Sequence, residues 1–264
     1  LVITVFGILS EKILFAFPNF LGSLSSLLGV SPSRLRRLGA GPSAAAPSGS
    51  EPSVFGPLSA PQTAPAPDAS IAVSNLTFSY ENKCVFQGLS MQAESGTITA
   101  ITGKNGCGKT TLLNILSGLI PPQNYSGKVS CPKVSFIFQE PRLIPNVSVV
   151  KNLALPLYGK TTRKEALALA IRALESAGLL HLAFQKAQSL SGGEKQKIQA
   201  LRAFMRDAPV ILMDEATTAL DEKSTLDFWS FICAMQENNP RTLLFVTHNL
   251  QEAERYAQKV VALP

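Results

Sequence analysis

The octet Gly103–Thr110, GKNGCGKT, constrains the chain more than any other stretch of its sequence. It fits the pattern G-x-x-x-x-G-K-[ST], with the β-branched run TITAIT before it and a leucine-periodic stretch after it. Gly103, Gly106 and Gly108 let the backbone wrap so that successive N–H groups point inward at phosphate oxygens. A helix starting near Lys109 adds its positive dipole end to that cradle. Lys109 is then placed to reach β- and γ-phosphates, and the Thr110 hydroxyl to ligate Mg²⁺. A strand–loop–helix of this kind belongs to a layered α/β fold.

The rest of the chain agrees from about Ser70 onward. KVSFIF, VILMD and TLLFV are short apolar runs of the kind found in a sheet covered on both faces, and SIAVSNLTFSY alternates in part like a strand. Helical patterns run from Lys109 to Leu119, Arg163 to Leu179, Gly192 to Met205 and Glu222 to Gln236. Strands alternating with helices predict a mostly parallel sheet.

Residues 1–68 have a different character. Their later part, GAGPSAAAPSGSEPSVFGPLSAPQTAPAPDAS, lacks the periodic apolar residues that would offset its ordering entropy, and reads as a flexible linker. Ahead of it, residues 13–30 are uncharged and largely apolar, near the lower length limit for a membrane helix, but broken by Pro18 and Asn19. If that segment spanned a bilayer, Arg34, Arg36 and Arg37 would place its downstream side in the cytoplasm. No basic region precedes the apolar part, so a signal peptide fits less well. The chain opens on leucine, which leaves two readings: an alternative start, or the tail of a longer polypeptide such as a fused permease. The expected division is therefore 1–68 and a globular domain over 69–264.

Charge and cysteines exclude other classes. The net charge of +6 is spread thinly, without basic runs interleaved with aromatics, so no nucleic-acid partner is expected. Cys84, Cys107, Cys131 and Cys233 lie far apart, so neither a zinc site nor a disulfide framework is indicated, and a reducing compartment fits.

A second element sharpens the phosphate reading. VILMDE ends a buried-type strand in Asp214 and Glu215, at the sheet edge where α/β folds bind ligands. Asp214 is positioned to hold Mg²⁺, and Glu215 to polarise an attacking water. His248 follows TLLFV at the same edge, within reach of that water or a γ-phosphate. His181 reads as structural. Ser191 is placed to cap the helix beginning at Gly192, leaving a second anion-binding helix end beside the close-approach residues Gly192 and Gly193.

LSGGEKQKIQALRAFMRDAPVILMDEATTALD, residues 190–221, resembles the signature-to-D-loop segment of ATP-binding cassette (ABC) transporter ATPases, and the other marks follow in the family's order. The resemblance covers roughly residues 70–264. It implies a P-loop NTPase fold with a RecA-like core, an antiparallel β subdomain and an α-helical signature subdomain. It implies ATP and Mg²⁺ as cofactors, with Tyr80 stacking on adenine and the loop Gly103, Lys104, Asn105, Gly106, Cys107, Gly108, Lys109, Thr110 and Thr111 around the phosphates. Gln139 becomes a Mg²⁺ ligand and sensor beside Thr110 and Asp214, with Glu215 and His248 completing the catalytic set. Ser191, Gly192, Gly193 and the D-loop Asp221 would bind nucleotide held by a second ATPase subunit, expected to be another copy of this chain. The Cys107 thiol reads as a bystander. The signature reads LSGGE where LSGGQ is commoner, and the D-loop TALD where SALD is usual; both positions vary in the family.

Similarity of residues 139–160 to import cassettes for nitrate, sulfonate, taurine and related small anions, or for thiamine precursors, implies a bacterial importer. Its partners would be transmembrane permease subunits and a periplasmic or lipid-anchored solute-binding protein. The location implied is the cytoplasmic face of the membrane, peripheral or tethered. A small exporter or lipoprotein-release cassette is the alternative.

Overall fold

The computed structural model describes residues 69–81 and 83–263. The expectations for residues 1–68, the linker and the apolar segment, lie outside the described residues.

Among the described residues, eight strands and six α-helices form two sheets with helices around them. Strands β1 (Ile71–Tyr80), β2 (Lys83–Ala93) and β4 (Ser126–Ser130) make an antiparallel sheet in the order β2-β1-β4. Strands β3 (Ile98–Thr102), β5 (Val134–Ile137), β6 (Val210–Asp214), β7 (Thr242–Val246) and β8 (Lys259–Ala262) make a wholly parallel sheet, ordered β5-β6-β7-β3-β8.

The continuous apolar runs of β6 and β7 are explained by two cores. Ile211, Met213, Leu243 and Phe245 face one core, while Val210, Leu212, Leu244 and Val246 face the other. Period-2 alternation therefore persists, but both faces are dry, so no polar residue marks it. The second core is closed by the antiparallel sheet and by α1 (Lys109–Leu116). The first is closed by α2 (Val149–Ala154), α3 (Arg163–Ser176), α4 (Gly192–Phe204) and α5 (Glu222–Asn238), with Ala253 of α6 (Leu250–Tyr256) at its edge. The parallel core, antiparallel β layer and helical layer expected from the resemblance are all present.

Two helices end earlier than their periodicity predicted. The first stops at Leu116 rather than Leu119, and α3 at Ser176 rather than Leu179. In each case a glycine two residues on, Gly118 at φ 76° and Gly178 at φ 68°, takes the left-handed conformation that terminates helices. Two others differ by one or two residues: α4 stops at Phe204, and α5 runs on to Asn238.

Register places the chemistry. Ile101 of β3 pairs with Val246 of β7, which pairs with Asp214 of β6, so these three form one row across the sheet. The phosphate loop, Glu215 and His248 all leave just beyond that row, at the carboxyl edge.

Candidate functional site

The loop is built for close approach at one position above all. Gly108, at φ 103°, packs so tightly that a Cβ there would lie 2.5 Å from Val85 Cγ1 and 2.9 Å from the Phe86 ring. Gly106, at φ 82°, faces open space on the outer side. The Cys107 N–H donates to the Lys104 carbonyl at 3.2 Å, closing the turn between them, with Lys104 and Asn105 exposed. The Cys107 thiol packs against Gly103, where an added Cβ would meet its Sγ at 2.6 Å.

The start of α1 differs from those of α3 to α6. Thr162, Ser191, Asp221 and Asn249 each cap their helix with a side-chain oxygen, whereas Gly108 brings none. The first-turn amides of α1, which follow Gly108 and include Lys109, Thr110 and Thr111, therefore have no side-chain cap and a positive dipole end behind them.

Lys109 is only 6% exposed, and its Nζ donates to the carbonyls of Gly103 at 3.0 Å and Lys104 at 3.2 Å. It also lies 3.9 Å from Glu215 Oε1, while Glu215 Oε2 lies 3.8 Å from His248 Nδ1. Cation, carboxylate and imidazole thus form one line along the sheet edge. Glu215 sits at φ 43°, a left-handed conformation for a non-glycine residue, held by its N–H donating to the Val246 carbonyl at 3.1 Å. Such backbone strain, of order 1–3 kcal/mol, persists only where surrounding structure over-determines it, and it concentrates at functional sites.

Thr110 Oγ1 donates to Asp214 Oδ1 at 3.4 Å. Burial pushes the Asp214 carboxyl above its usual range; the Thr110 hydrogen bond and Lys109 oppose this, and Glu215 adds to it. A hydroxyl and one carboxylate suit a hard divalent cation that completes its shell with phosphate and water. Among the described residues no cluster of three or more His, Cys, Asp or Glu offers a softer site.

Other expected residues are placed as follows. Tyr80 ends β1, is 49% exposed, and meets Phe78 edge-on at 4.7 Å, so its ring is available rather than core. Gln139 is exposed after β5; its side chain makes no hydrogen bond to Thr110 or Asp214, and its carbonyl accepts from Gln196 Nε2 at 2.6 Å. Buried Gln199 takes the neighbouring backbone, donating to the Phe138 carbonyl at 2.8 Å and accepting from the Arg142 N–H at 3.0 Å. This segment is therefore pinned to α4. His181 is exposed in a short turn before the signature.

At the head of α4, Ser191 Oγ accepts from the Glu194 N–H at 3.3 Å, and Glu194 Oε2 accepts from the Ser191 N–H and hydroxyl, both at 2.8 Å. These bonds to Ser191 hold the Glu194 carboxyl below its usual range. Glu194 thus closes a capping box, a role the commoner glutamine of LSGGQ could also fill. Gly192 and Gly193 approach Leu220 and Ser224, where added Cβ atoms would sit at 3.8 and 3.5 Å. Signature and D-loop therefore share one ridge. Asp221 has a local duty as well: its Oδ1 accepts from the Ser224 N–H at 2.7 Å, capping α5.

One residue of consequence carries no motif. Glu252, 7% exposed, accepts from Thr217, Trp229 and Thr247. Its only sequence signal is the spacing Asn249–Glu252 of a helix start.

Comparison with known proteins agrees with this geometry. A family profile described as ABC transporter matches residues 86–218. The aliphatic sulfonates import ATP-binding protein SsuB 1 of Paracoccus denitrificans is 34% identical over 194 residues, covering 73% of this chain and 78% of that protein. Its counterpart in Granulibacter bethesdensis is 36% identical over 180 residues, covering 68% and 73%. The dimeric structure of MJ0796, a bacterial ABC transporter cassette, superposes with a TM-score of 0.62 at 28% identity, covering 73% of this chain and 94% of that one. The phosphate loop, paired carboxylates and histidine meet at one sheet edge in a chain that matches these relatives over most of its length and theirs: the chain belongs to the ABC transporter family, as its ATP-hydrolysing cassette.

Proposed function

We propose that this cassette energises a bacterial importer of aliphatic sulfonates or similar small anions. It would work from the cytoplasmic face of the membrane, on permease subunits supplied by a solute-binding protein. The names of the relatives support the substrate class. Among the described residues no helix is long and apolar enough to cross a membrane, so a pore would come from other subunits or segments.

The chemical step rests on one observation, the line from Lys109 through Glu215 to His248. Lys109 exchanges the Gly103 and Lys104 carbonyls for β- and γ-phosphate oxygens, and Glu215 orients the water that attacks the γ-phosphate. His248, beside Glu215, contacts the γ-phosphate side. Thr110 and Asp214 would hold Mg²⁺, with Gln139 reaching in to join them, and the ion would supply neutralisation of phosphate charge. Tyr80 stacks on the adenine. Ser191, with the Gly192 and Gly193 amides and Asp221, takes the γ-phosphate of ATP cradled by a second copy, so that ATP closes the dimer and hydrolysis opens it.

Glu215→Gln tests the chemistry. It should retain ATP while losing roughly 10²- to 10⁴-fold in turnover, the share general-base catalysis supplies; near-normal turnover refutes the assignment. Deleting the gene should abolish growth on an aliphatic sulfonate as sole sulfur source but not on sulfate. Unchanged growth on the sulfonate refutes the substrate class.

A further inference from the structure

Glu252 is a buried carboxylate in α6, and among the described residues it forms no ion pair. Its Oε1 accepts from Thr217 Oγ1 and from Trp229 Nε1, each at 2.6 Å. Its Oε2 accepts from Thr247 Oγ1 at 2.5 Å. A charge taken out of water this far is tolerated only with such charge-assisted bonds on both oxygens. The core side is rigid, because Trp229 is fully buried, stacked on Tyr256 at 4.4 Å and edge-on to Phe245 at 4.8 Å.

What the two oxygens hold is informative. Thr217 lies two residues beyond Glu215, in a turn closed by the Thr218 N–H donating to the Glu215 carbonyl at 3.2 Å and the Leu220 N–H to the Thr217 carbonyl at 2.9 Å. Thr247 immediately precedes His248, and its own N–H donates to the Ile101 carbonyl at 3.1 Å. The Thr247 hydroxyl also accepts from the Asn249 N–H at 3.1 Å, so the residues on both sides of His248 are fixed through it. Glu215 and His248 leave different strands, tied at their ends by the Glu215 N–H bond to the Val246 carbonyl, and their side chains come within 3.8 Å beyond that tie. The Glu252 carboxylate adds a side-chain bridge between the two segments, further from the sheet.

We propose that Glu252 is a positioning residue for hydrolysis, setting the placement of Glu215 relative to His248 by holding Thr217 on one oxygen and Thr247 on the other. The proposal rests on the reading of Glu215 and His248 as the hydrolytic pair. A merely structural Glu252 would support the fold with no particular effect on kcat.

The test uses the full chain with Thr217→Val, Thr247→Val, the serine counterparts of both, Glu252→Gln, and Glu215→Gln. Turnover of Mg-ATP over a concentration series gives kcat and KM, and trinitrophenyl-ATP gives nucleotide affinity, at a temperature where circular dichroism shows each variant folded. Each valine variant should lose roughly 10- to 100-fold in kcat, with KM and analogue affinity within about twofold of the parent. The serine variants, which keep the donor, should stay near the parent. Combining Glu252→Gln with Thr247→Val should cost less than the product of the two single losses. Valine variants at parental kcat, or serine variants as slow as valine, overturn the proposal while a slow Glu215→Gln leaves the hydrolytic reading standing. If Glu215→Gln itself turns over normally, that reading falls and the proposal with it.

Discussion

Gly108→Ala should be the most damaging single-methyl change in the phosphate loop, and its cost can be worked out from contacts. An L residue at φ 103° bears left-handed strain of about 1–2 kcal/mol. Its Cβ would also lie 2.5 Å from Val85 Cγ1 and 2.9 Å from the Phe86 ring, and Phe86 is buried. Relieving such overpacking costs about 1–3 kcal/mol. Both are offset by about 0.5 kcal/mol because alanine has less freedom than glycine in the unfolded chain. Gly118→Ala is the matched control, since Gly118 also has a positive φ, 76°, but open space around its missing Cβ. At about 2–4 °C per kcal/mol for a domain this size, Gly118→Ala should lower Tm by about 1–6 °C, and Gly108→Ala by about 3–18 °C. Scanning calorimetry without nucleotide measures both, and a titration with trinitrophenyl-ATP should find only Gly108→Ala weakened in binding. If Gly108→Ala melts as high as Gly118→Ala, the contact with β2 does not constrain the loop and the reasoning fails.

Two further outcomes concern the site and one the packing outside it. Lys109→Ala should weaken ATP binding roughly 10- to 100-fold, the range of lost charge-assisted hydrogen bonds, as measured by isothermal titration. Asn152→Ala should cost about 1–3 kcal/mol, because the buried Asn152 accepts from the Ile144 N–H at 2.8 Å and donates to the carbonyls of Ile144, Val147 and Ser148. Calorimetry should show that loss while ATP affinity stays at the parental level, since the cradle is built elsewhere. Asp214 has its carboxyl raised, chiefly by burial, so the folded protein holds this proton more tightly than the unfolded chain. That contribution favours folding at low pH and is lost as pH rises through the raised value; Mg²⁺ held by Asp214, as proposed, would compete with the same proton. Mg²⁺ affinity in the presence of ATP should therefore fall as pH drops through the range above the ordinary aspartate pKa, and Asp214→Asn should remove that dependence.

Much of the site was legible because its chemistry is compressed into contiguous stretches. Gly103 to Thr110 must be consecutive for their amides to converge, and Asp214 and Glu215 must end a strand to reach the edge. The resemblance supplied what spacing could not, such as a duty for Tyr80. Strand β2 went unread because KCVFQGLSMQA is interrupted by Gly88 and its partner β1 bends through three register shifts, so alternation is broken on both sides. Short helices α2 and α6 offered six and seven residues, too few for periodicity to declare itself. The overrun of α1 and α3 was avoidable, since Gly118 and Gly178 carried the stop signal in plain view. Glu252 was not avoidable. Its importance lies in three donors brought together from a loop, a helix and a strand end, and only folding brings Thr217, Trp229 and Thr247 to one carboxylate. Glu194 falls between, since a serine followed three residues later by a glutamate signals a capping box.

The central claim is that one ATP is shared between the cradle of one copy and the signature ridge of another. The most direct measurement is the mass of the Glu215→Gln chain by size exclusion with light scattering, with and without Mg-ATP, and again with Ser191→Arg added. ATP should double the mass of Glu215→Gln, and the added arginine, placed at the capped end of α4, should abolish that doubling without loss of nucleotide affinity. A chain that binds ATP yet stays monomeric, or an ATP-dependent dimer indifferent to Ser191→Arg, would contradict the account.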